Sequence, residues 1–265
     1  MTITILRNII AYRGFILSSV KREFQSRYRN SLLGAVWNIL NPLAMIIVYT
    51  VIFSGVMKAR VPGIDNSFGY SIYLCSGLLT WGLFSEIVLR SQNTFIDNAN
   101  LLKKITFPRL CLPIVAILSA LVNFLISFSI FLIFLILSGN MPGIEILSYI
   151  PILLVLSLLA IGIGITVGVI NVFFRDAGQL FSIVVQFWFW FTPIVYTSDI
   201  LPEKIKNILS YNPMTGIIEA CHTVMVKKVW PDWWGLIPAL CVGGVFVWLG
   251  LTLFRKHSGE IVDEL

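Results

Sequence analysis

Glu86 and Arg90 stand four residues apart in the apolar stretch LCSGLLTWGLFSEIVLR, the spacing at which two helical side chains meet on one face. Carboxylates deep in a membrane bind and release protons or sodium in ion-coupled carriers, and Glu86 is the acid that comes closest to such a position. With Arg90 one turn further on, the pair reads either as a structural ion pair or as a gate, and it leaves no spare acid for ion coupling. Other chemistry is thinly provided for. No Gly-Lys dipeptide occurs, hence no GxxxxGK[ST] phosphate loop, so by that motif the chain neither binds nor hydrolyses ATP. There is no Asp-x-Asp pair to hold a metal-bound sugar nucleotide and no HExxH zinc motif, and His222 and His257 have no carboxylate arranged for general-base work. Cys75, Cys111, Cys221 and Cys241 lie in or beside apolar segments without short paired spacing, which suits small hydrophobes better than a zinc site or a disulfide framework. No catalytic residue, metal ligand set or cofactor is expected on this chain, and a membrane enzyme is disfavoured. Energy for any work must come from elsewhere.

The elements that position these residues are membrane helices. Hydrophobic residues make up 57% of the 265 and charged residues 12%, with a mean hydropathy of +0.89, far above an ordinary globular domain. The fold class is therefore an all-α integral membrane protein. Since a crossing needs roughly 20 apolar residues, spans are expected near 33–56, 69–90, 109–137, 147–172, 179–197 and 233–254. Six crossings leave both ends on one side. Of the 19 lysines and arginines, Lys58, Arg60, Lys204, Lys206, Lys227 and Lys228 then fall outside and the other 13 inside, so both termini are expected in the cytoplasm. The net charge of +6 is read as this topology signal, with no nucleic-acid partner. Arg7, Arg13, Lys21 and Arg22 interrupt any signal-peptide core, so the mature chain is expected to begin at or near Met1.

Residues 1–32 form an expected interfacial segment, because Leu17, Val20, Phe24 and Tyr28 recur at helical spacing beside a polar row of Lys21, Gln25 and Arg29. Residues 257–265 are expected as a tail. Between the second and third spans, the amphipathic segment 97–107 carries Asn98, Leu101, Leu102, Lys103 and Lys104 and is stopped by Pro108. It either docks into a groove on a partner or is an ordinary surface-lying connector. Across 200–228, two short apolar pieces flank the turn at Asn212-Pro213. Each is about half a crossing, as in a re-entrant hairpin dipping from the outer face; a hairpin flat on that face is the alternative. Asn38, Asn41 and Pro42 interrupt the first span, and Gly164-Ile-Thr-Val-Gly168 is a small-xxx-small pattern suited to close helix packing.

The fifth span contains FWFWF, Phe187 to Phe191. Trp188 lies about halfway through a ~30 Å core, too deep for an interfacial belt. Gln179, Ser182, Gln186, Pro193 and Thr197 fall on one polar stripe, straddled by Phe189 and Trp190, while Trp188 sits nearly opposite. Polar groups in a span avoid lipid, so the stripe is expected to face protein or a water-filled path, and Ser182, Gln186, Phe189 and Trp190, with Trp188 from the same run, are the candidate path residues, helix packing being the alternative. Phe187, Trp188 and Phe191 are expected to pack. Aromatic faces suit the C–H faces of sugars.

Four ordered motifs carry a resemblance: Arg27-Tyr-Arg-Asn-Ser-Leu-Leu-Gly-Ala-Val-Trp-Asn-Ile-Leu-Asn-Pro-Leu43, Leu101-Leu-Lys-Lys-Ile-Thr-Phe-Pro108, Asn171-Val-Phe-Phe-Arg-Asp176 and Tyr211-Asn-Pro-Met214. With them, nearly the whole chain resembles the type-2 ABC-transporter permeases that export bacterial polysaccharides: O-antigen, capsule and teichoic acid. The resemblance implies an inner-membrane permease working as two copies with two copies of a separate ATPase, which holds ATP and Mg, and a lipid-linked glycan as substrate. It also implies that Arg27, Tyr28 and Arg29 lie near the lipid diphosphate, where guanidinium groups pair with phosphate. Asn98 to Ile105 would seat on the ATPase, Arg175-Asp176 would make a second contact, and Asn212-Pro213 would shape the exit. An exporter of drugs or small lipids and a membrane transferase acting on lipid-linked sugars are the alternatives.

Overall fold

In lipid a backbone must satisfy its own hydrogen bonds, so apolar runs become helices. A computed structural model describes residues 11–28, 36–52, 68–104 and 111–264, and among them all regular structure is helical. In chain order these are α1 (Arg13–Tyr28), α2 (Trp37–Tyr49), α3 (Gly69–Asp97), α4 (Ala99–Lys104), α5 (Cys111–Leu137), α6 (Tyr149–Phe173), α7 (Arg175–Trp190), α8 (Glu203–Leu209), α9 (Pro213–His222), α10 (Ile237–His257) and α11 (Glu260–Glu264). A short 3-10 turn leads into α6 and another into α10.

Helices α3 and α6 form the centre. They pack on each other, α10 covers α6, and α5 covers α3. Among the described residues four stretches are long and apolar enough to cross a membrane: Gly69–Asp97, Cys111–Leu137, Ile144–Phe173 and Trp234–His257. In the other two expected crossings the described helices are shorter. α2 has 13 residues, runs through Pro42 without a break and passes into a wider π turn at Thr50, beyond which residues 53–56 of the expected span lie outside the described residues.

Helix α7 has 16 residues, about 24 Å at 1.5 Å per residue. It begins before the expected 179 and stops well short of 197. Pro193 supplies no amide hydrogen and disfavours a helical residue before it, and the carbonyls beyond are held by α3 instead. The Tyr73 hydroxyl donates to the Pro193 carbonyl (3.1 Å) and the Tyr196 carbonyl (2.7 Å), and the Tyr70 hydroxyl donates to the Val195 carbonyl (2.7 Å). Irregular backbone is tolerated here because protein surrounds it; Thr192 and Ile194 are buried.

Helix α3 runs past the expected end at 90 to Asp97. Its 29 residues span about 43 Å, more than a ~30 Å hydrocarbon core. The extension Arg90–Asp97 holds as helix because Ser91, Gln92, Thr94 and Phe95 are buried against neighbours. Gly164 and Gly168 mark the α6–α3 contact. A Cβ on Gly168 would stand 2.7 Å from the Ser91 carbonyl oxygen, a backbone atom that cannot swing aside. Gly168→Ala is therefore expected to cost about 1–3 kcal/mol, read as a lower melting temperature of the purified protein; an unchanged one would contradict this packing.

The first and last segments differ from their sequence patterns. Helix α1 buries Ile16 against α5 and leaves Leu17 exposed, so its inner face is rotated from the Leu17 row, drawn round by the polar contacts of Glu23 described below. The tail is not merely a tail: α11 packs on α4 and α6 with Ile261 buried.

Candidate functional site

The Glu86–Arg90 pair forms, and it is larger than a pair. Arg90 Nε donates to Glu86 Oε1 (2.8 Å) and its Nη1 donates to Glu23 on α1. From α5, Ser119 Oγ donates to Glu23 Oε2 (2.6 Å) and Asn123 Nδ2 donates to Glu86. One guanidinium thus bridges two carboxylates and ties α1, α3 and α5 together. Charge-assisted bonds of this kind are stronger than neutral ones, although partial exposure of the three charges weakens them. Beside the cluster lies a cavity of about 410 Å³ whose wall includes Ser19, Arg22, Arg90, Asp97, Asn98 and Leu101.

Asn98 is the joint between α3 and α4. Its side-chain amide donates back to the Thr94 carbonyl (2.8 Å), and its own carbonyl accepts from the amides of Leu101 and Leu102 (3.0 Å each). Leu102 is buried with Phe95, Leu112, Val169, Val172, Phe254 and Ile261, with Leu101 and Phe173 packed at the edge. This second, small core seats α4 on α3, α6, α10 and α11. Lys103 remains exposed, and Lys104 closes the helix. The core also brings the Arg175-Asp176 turn close, since Phe173 ends α6 and Arg175 opens α7 after one extended residue, Phe174. Arg175 and Asp176 are exposed, and Asp176 in the first turn suits the positive end of the helix dipole.

At the far end of α7 the aromatic run meets the hairpin. Trp188 Nε1 donates to Asn212 Oδ1 (2.9 Å), which also accepts from the Met214 amide (3.0 Å) and so caps α9. Asn212 Nδ2 donates to the Phe191 carbonyl (2.9 Å) and Thr192 Oγ1 (3.1 Å). Pro213 occupies the first position of α9, where its missing amide hydrogen is no loss. α9 then lies between α3, α6 and α10 with Met214, Ile217, Ile218 and Cys221 fully buried, whereas Ile205 and Ile208 of α8 are exposed.

The faces of α7 differ from the expected stripe. Trp188 packs on Trp81 and Phe84, and Phe189 packs on Trp81 at 5.8 Å between centroids, so Phe189 turns inward. Ser182 also turns inward, accepting from Gln92 Nε2 (2.8 Å). Gln186 and Trp190 point outward, the latter 62% exposed, and so do Phe187 and Phe191, which were expected to pack. The Glu86–Arg90 pair attaches to α1 and α5, and Asn212 attaches to α7 and the residues after it while Pro213 opens α9. Of the residues expected at the headgroup, Arg27 and Tyr28 end α1, and Arg29 lies outside the described residues, as do positions 105–108 of the expected coupling segment. His222 is buried and stacked on Tyr73, a neighbour that no spacing suggests, whereas His257 Nδ1 meets Glu260 Oε2 at 2.6 Å, an i,i+3 carboxylate contact not expected above. Cys241 is exposed, the other three cysteines buried.

A family profile described as ABC-2 type transporter matches residues 15–226, a stretch that contains all four motifs, the Glu23–Glu86–Arg90 cluster, α4 and the aromatic run. The chain belongs to the ABC-2 type transporter family. It is similar over its length to proteins named O-antigen export system permease protein RfbA: 28% identical to that of Myxococcus xanthus, covering 99% of this chain and 100% of the relative, and 31% identical to one of Klebsiella pneumoniae, covering 92% of each. It is also 25% identical to the polysialic acid transport protein KpsM of Escherichia coli, over 92% of this chain and 93% of that one.

As an ABC-2 chain it is a membrane transport subunit rather than an enzyme. Three features of this ABC-2 chain escape the motif reading. Glu23 is the one acid among the first 64 residues, a signal strong enough to mark it in a basic, amphipathic segment. Asn123 and Ser119 are polar residues one turn apart inside the apolar α5. Phe174 is 70% exposed beside Arg175, an apolar knob at the turn between α6 and α7.

Proposed function

We propose that this chain is the permease of an ATP-driven exporter that carries a lipid-linked polysaccharide, O-antigen first among the choices, out of the cytoplasm across the bacterial inner membrane. Two copies surround the path, two copies of a separate ATPase hold ATP and Mg, and both termini of the permease lie in the cytoplasm. The O-antigen choice is supported by relatives of that name at 28–31% identity, against 25% for the polysialic acid relative. ATP binding closes the ATPase pair and pushes on α4 and on the Arg175-Asp176 turn; the push enters α3 at Asn98 and rocks the spans. Arg27, Tyr28 and Arg29, at and after the end of α1, receive the lipid diphosphate, and the 200–228 hairpin dips back from the outer face to shape the exit.

One observation carries the path reading: the outward face of α7 includes Gln179, Gln186, Phe187 and Trp190 beside the aliphatic Leu180, Ile183 and Val184, mixing amides with aromatic rings. Lipid is a poor solvent for the amides, whereas a glycan offers hydroxyls to them and C–H faces to the rings. In cells relying on the variant permease, Trp190→Ala is expected to lower surface polysaccharide about tenfold at unchanged membrane abundance, the weight of one lost aromatic contact near 1.5 kcal/mol. Trp188→Ala, which removes packing on α3 and the Asn212 bond, should lower abundance instead. Normal export by Trp190→Ala would reject the path.

A further inference from the structure

Two segments far apart in sequence, α4 and the start of α7, are joined through α3 by a buried polar seam. Gln92 and Asn171 are 1% and 2% exposed. Asn171 Nδ2 donates to the Gln92 carbonyl (3.0 Å) and to Asn93 Oδ1 (3.2 Å), fixing the end of α6 to α3. Its Oδ1 accepts from the Gly178 amide (2.9 Å). That amide belongs to the first turn of α7, where helix donors lack partners in their own helix, so Asn171 caps α7 from across the turn. Gln92 Nε2 then donates to the Gly178 carbonyl (3.1 Å) and to Ser182 Oγ (2.8 Å), fixing α7 directly to α3. No side chain fits at Gly178, where a Cβ would come within 2.5 Å of Asn171 Oδ1.

We infer that Gln92 and Asn171 are positioning residues that fasten the Arg175-Asp176 turn to the same helix that carries α4, so that the two ATPase-facing segments of one permease move as a unit. The inference rests on the coupling reading above and adds to it which residues keep the two pushes in step. Position along the chain supports this. Gln92 lies six residues before Asn98, where α4 departs, and Gly178 lies two residues after Asp176. The seam also costs something in stability: Gln92 Oε1 is buried with no partner among the described residues, a penalty that an apolar side chain of similar volume would not carry. Retaining glutamine there is explained by the two donated bonds that hold α7.

Gln92→Leu removes those bonds together with the orphaned oxygen, so the chain should fold and assemble. In vesicles holding the permease–ATPase complex, ATP hydrolysis should persist while glycan exported per ATP falls about tenfold or more, as expected from two buried hydrogen bonds. Unchanged export per ATP, or hydrolysis and export falling in proportion, would overturn the inference. A second arm uses Gln92→Cys with Ser182→Cys in a Cys241→Ser background, Cys241 being exposed. Unbridged, this variant should export poorly per ATP; bridged by a short bifunctional thiol reagent, it should recover. Bridging that fails to restore export, or stops it, means that the seam opens during the cycle and the segments do not move as a unit. Normal export by Leu102→Asp would instead remove the coupling reading itself, whatever the seam variants do.

Discussion

Leu102→Asp is expected to reduce export to background and to release the ATPase from the membrane. Leu102 is buried in the small core with Phe95, Val169 and Phe254, and a carboxylate there has no cation to meet among those side chains. An uncompensated buried charge costs about 3–5 kcal/mol, more than a six-residue helix contributes by its own propensity, since such short helices are marginal alone. α4 should leave its seat while the spans, held by the separate main core, remain folded. Co-purification of the ATPase with the tagged permease reads this directly, alongside membrane abundance. Lys103→Glu provides the contrast, because Lys103 is exposed: α4 stays seated, and only a surface contact changes sign. Normal co-purification with Leu102→Asp would show that α4 is not the ATPase contact.

The second large effect is expected at Asn212. Asn212→Ala removes the cap of α9, worth about 1 kcal/mol, and leaves the part-buried Trp188 indole N–H without its partner, at about 1–3 kcal/mol, while the Phe191 carbonyl is exposed and can turn to other donors. These terms share one residue and do not add fully, so a loss of about 3 kcal/mol is expected, read as a marked fall in melting temperature in detergent. Asn212→Asp keeps the acceptor for Trp188 and Met214 but cannot donate to Phe191, and should fall between the two. Equal melting of Asn212→Ala and the parent would mean that the aromatic run and the hairpin are not mechanically joined.

The long apolar helices were legible because lipid demands length and hydrophobicity and little else: α5, α6 and α10 start and stop within a few residues of the expected spans. Apolar length alone ends the second span near 90, whereas packing of Ser91, Gln92 and Phe95 against other helices carries α3 on to Asp97. The stripe on α7 failed for a different reason. It assumed one helical phase from Gln179 to Thr197, yet Pro193 and Thr197 lie beyond the last helical residue, Trp190, and only the points before it share a phase. With Ser182 drawn inward by Gln92, the true outward face runs through Gln186 and Trp190. Helical periodicity likewise could not see Glu23, because its partners Arg90 and Ser119 are 67 and 96 residues away.

Helix α3 grips neighbours near both of its ends. At one end Tyr70 and Tyr73 hold the carbonyls of the unwound stretch after α7; at the other, Gln92 holds the first turn of that same helix. Two attachments about 20 residues apart, roughly 30 Å along a stiff rod, make α3 and α7 the two rails of a ladder with a rung at either end. On the coupling proposed above, a twist entering α3 and α7 at the Gln92 rung would reach the Tyr70 and Tyr73 rung as a pull on peptide oxygens. The non-helical backbone in that frame, Phe191 to Thr197, is where such a pull would be taken up.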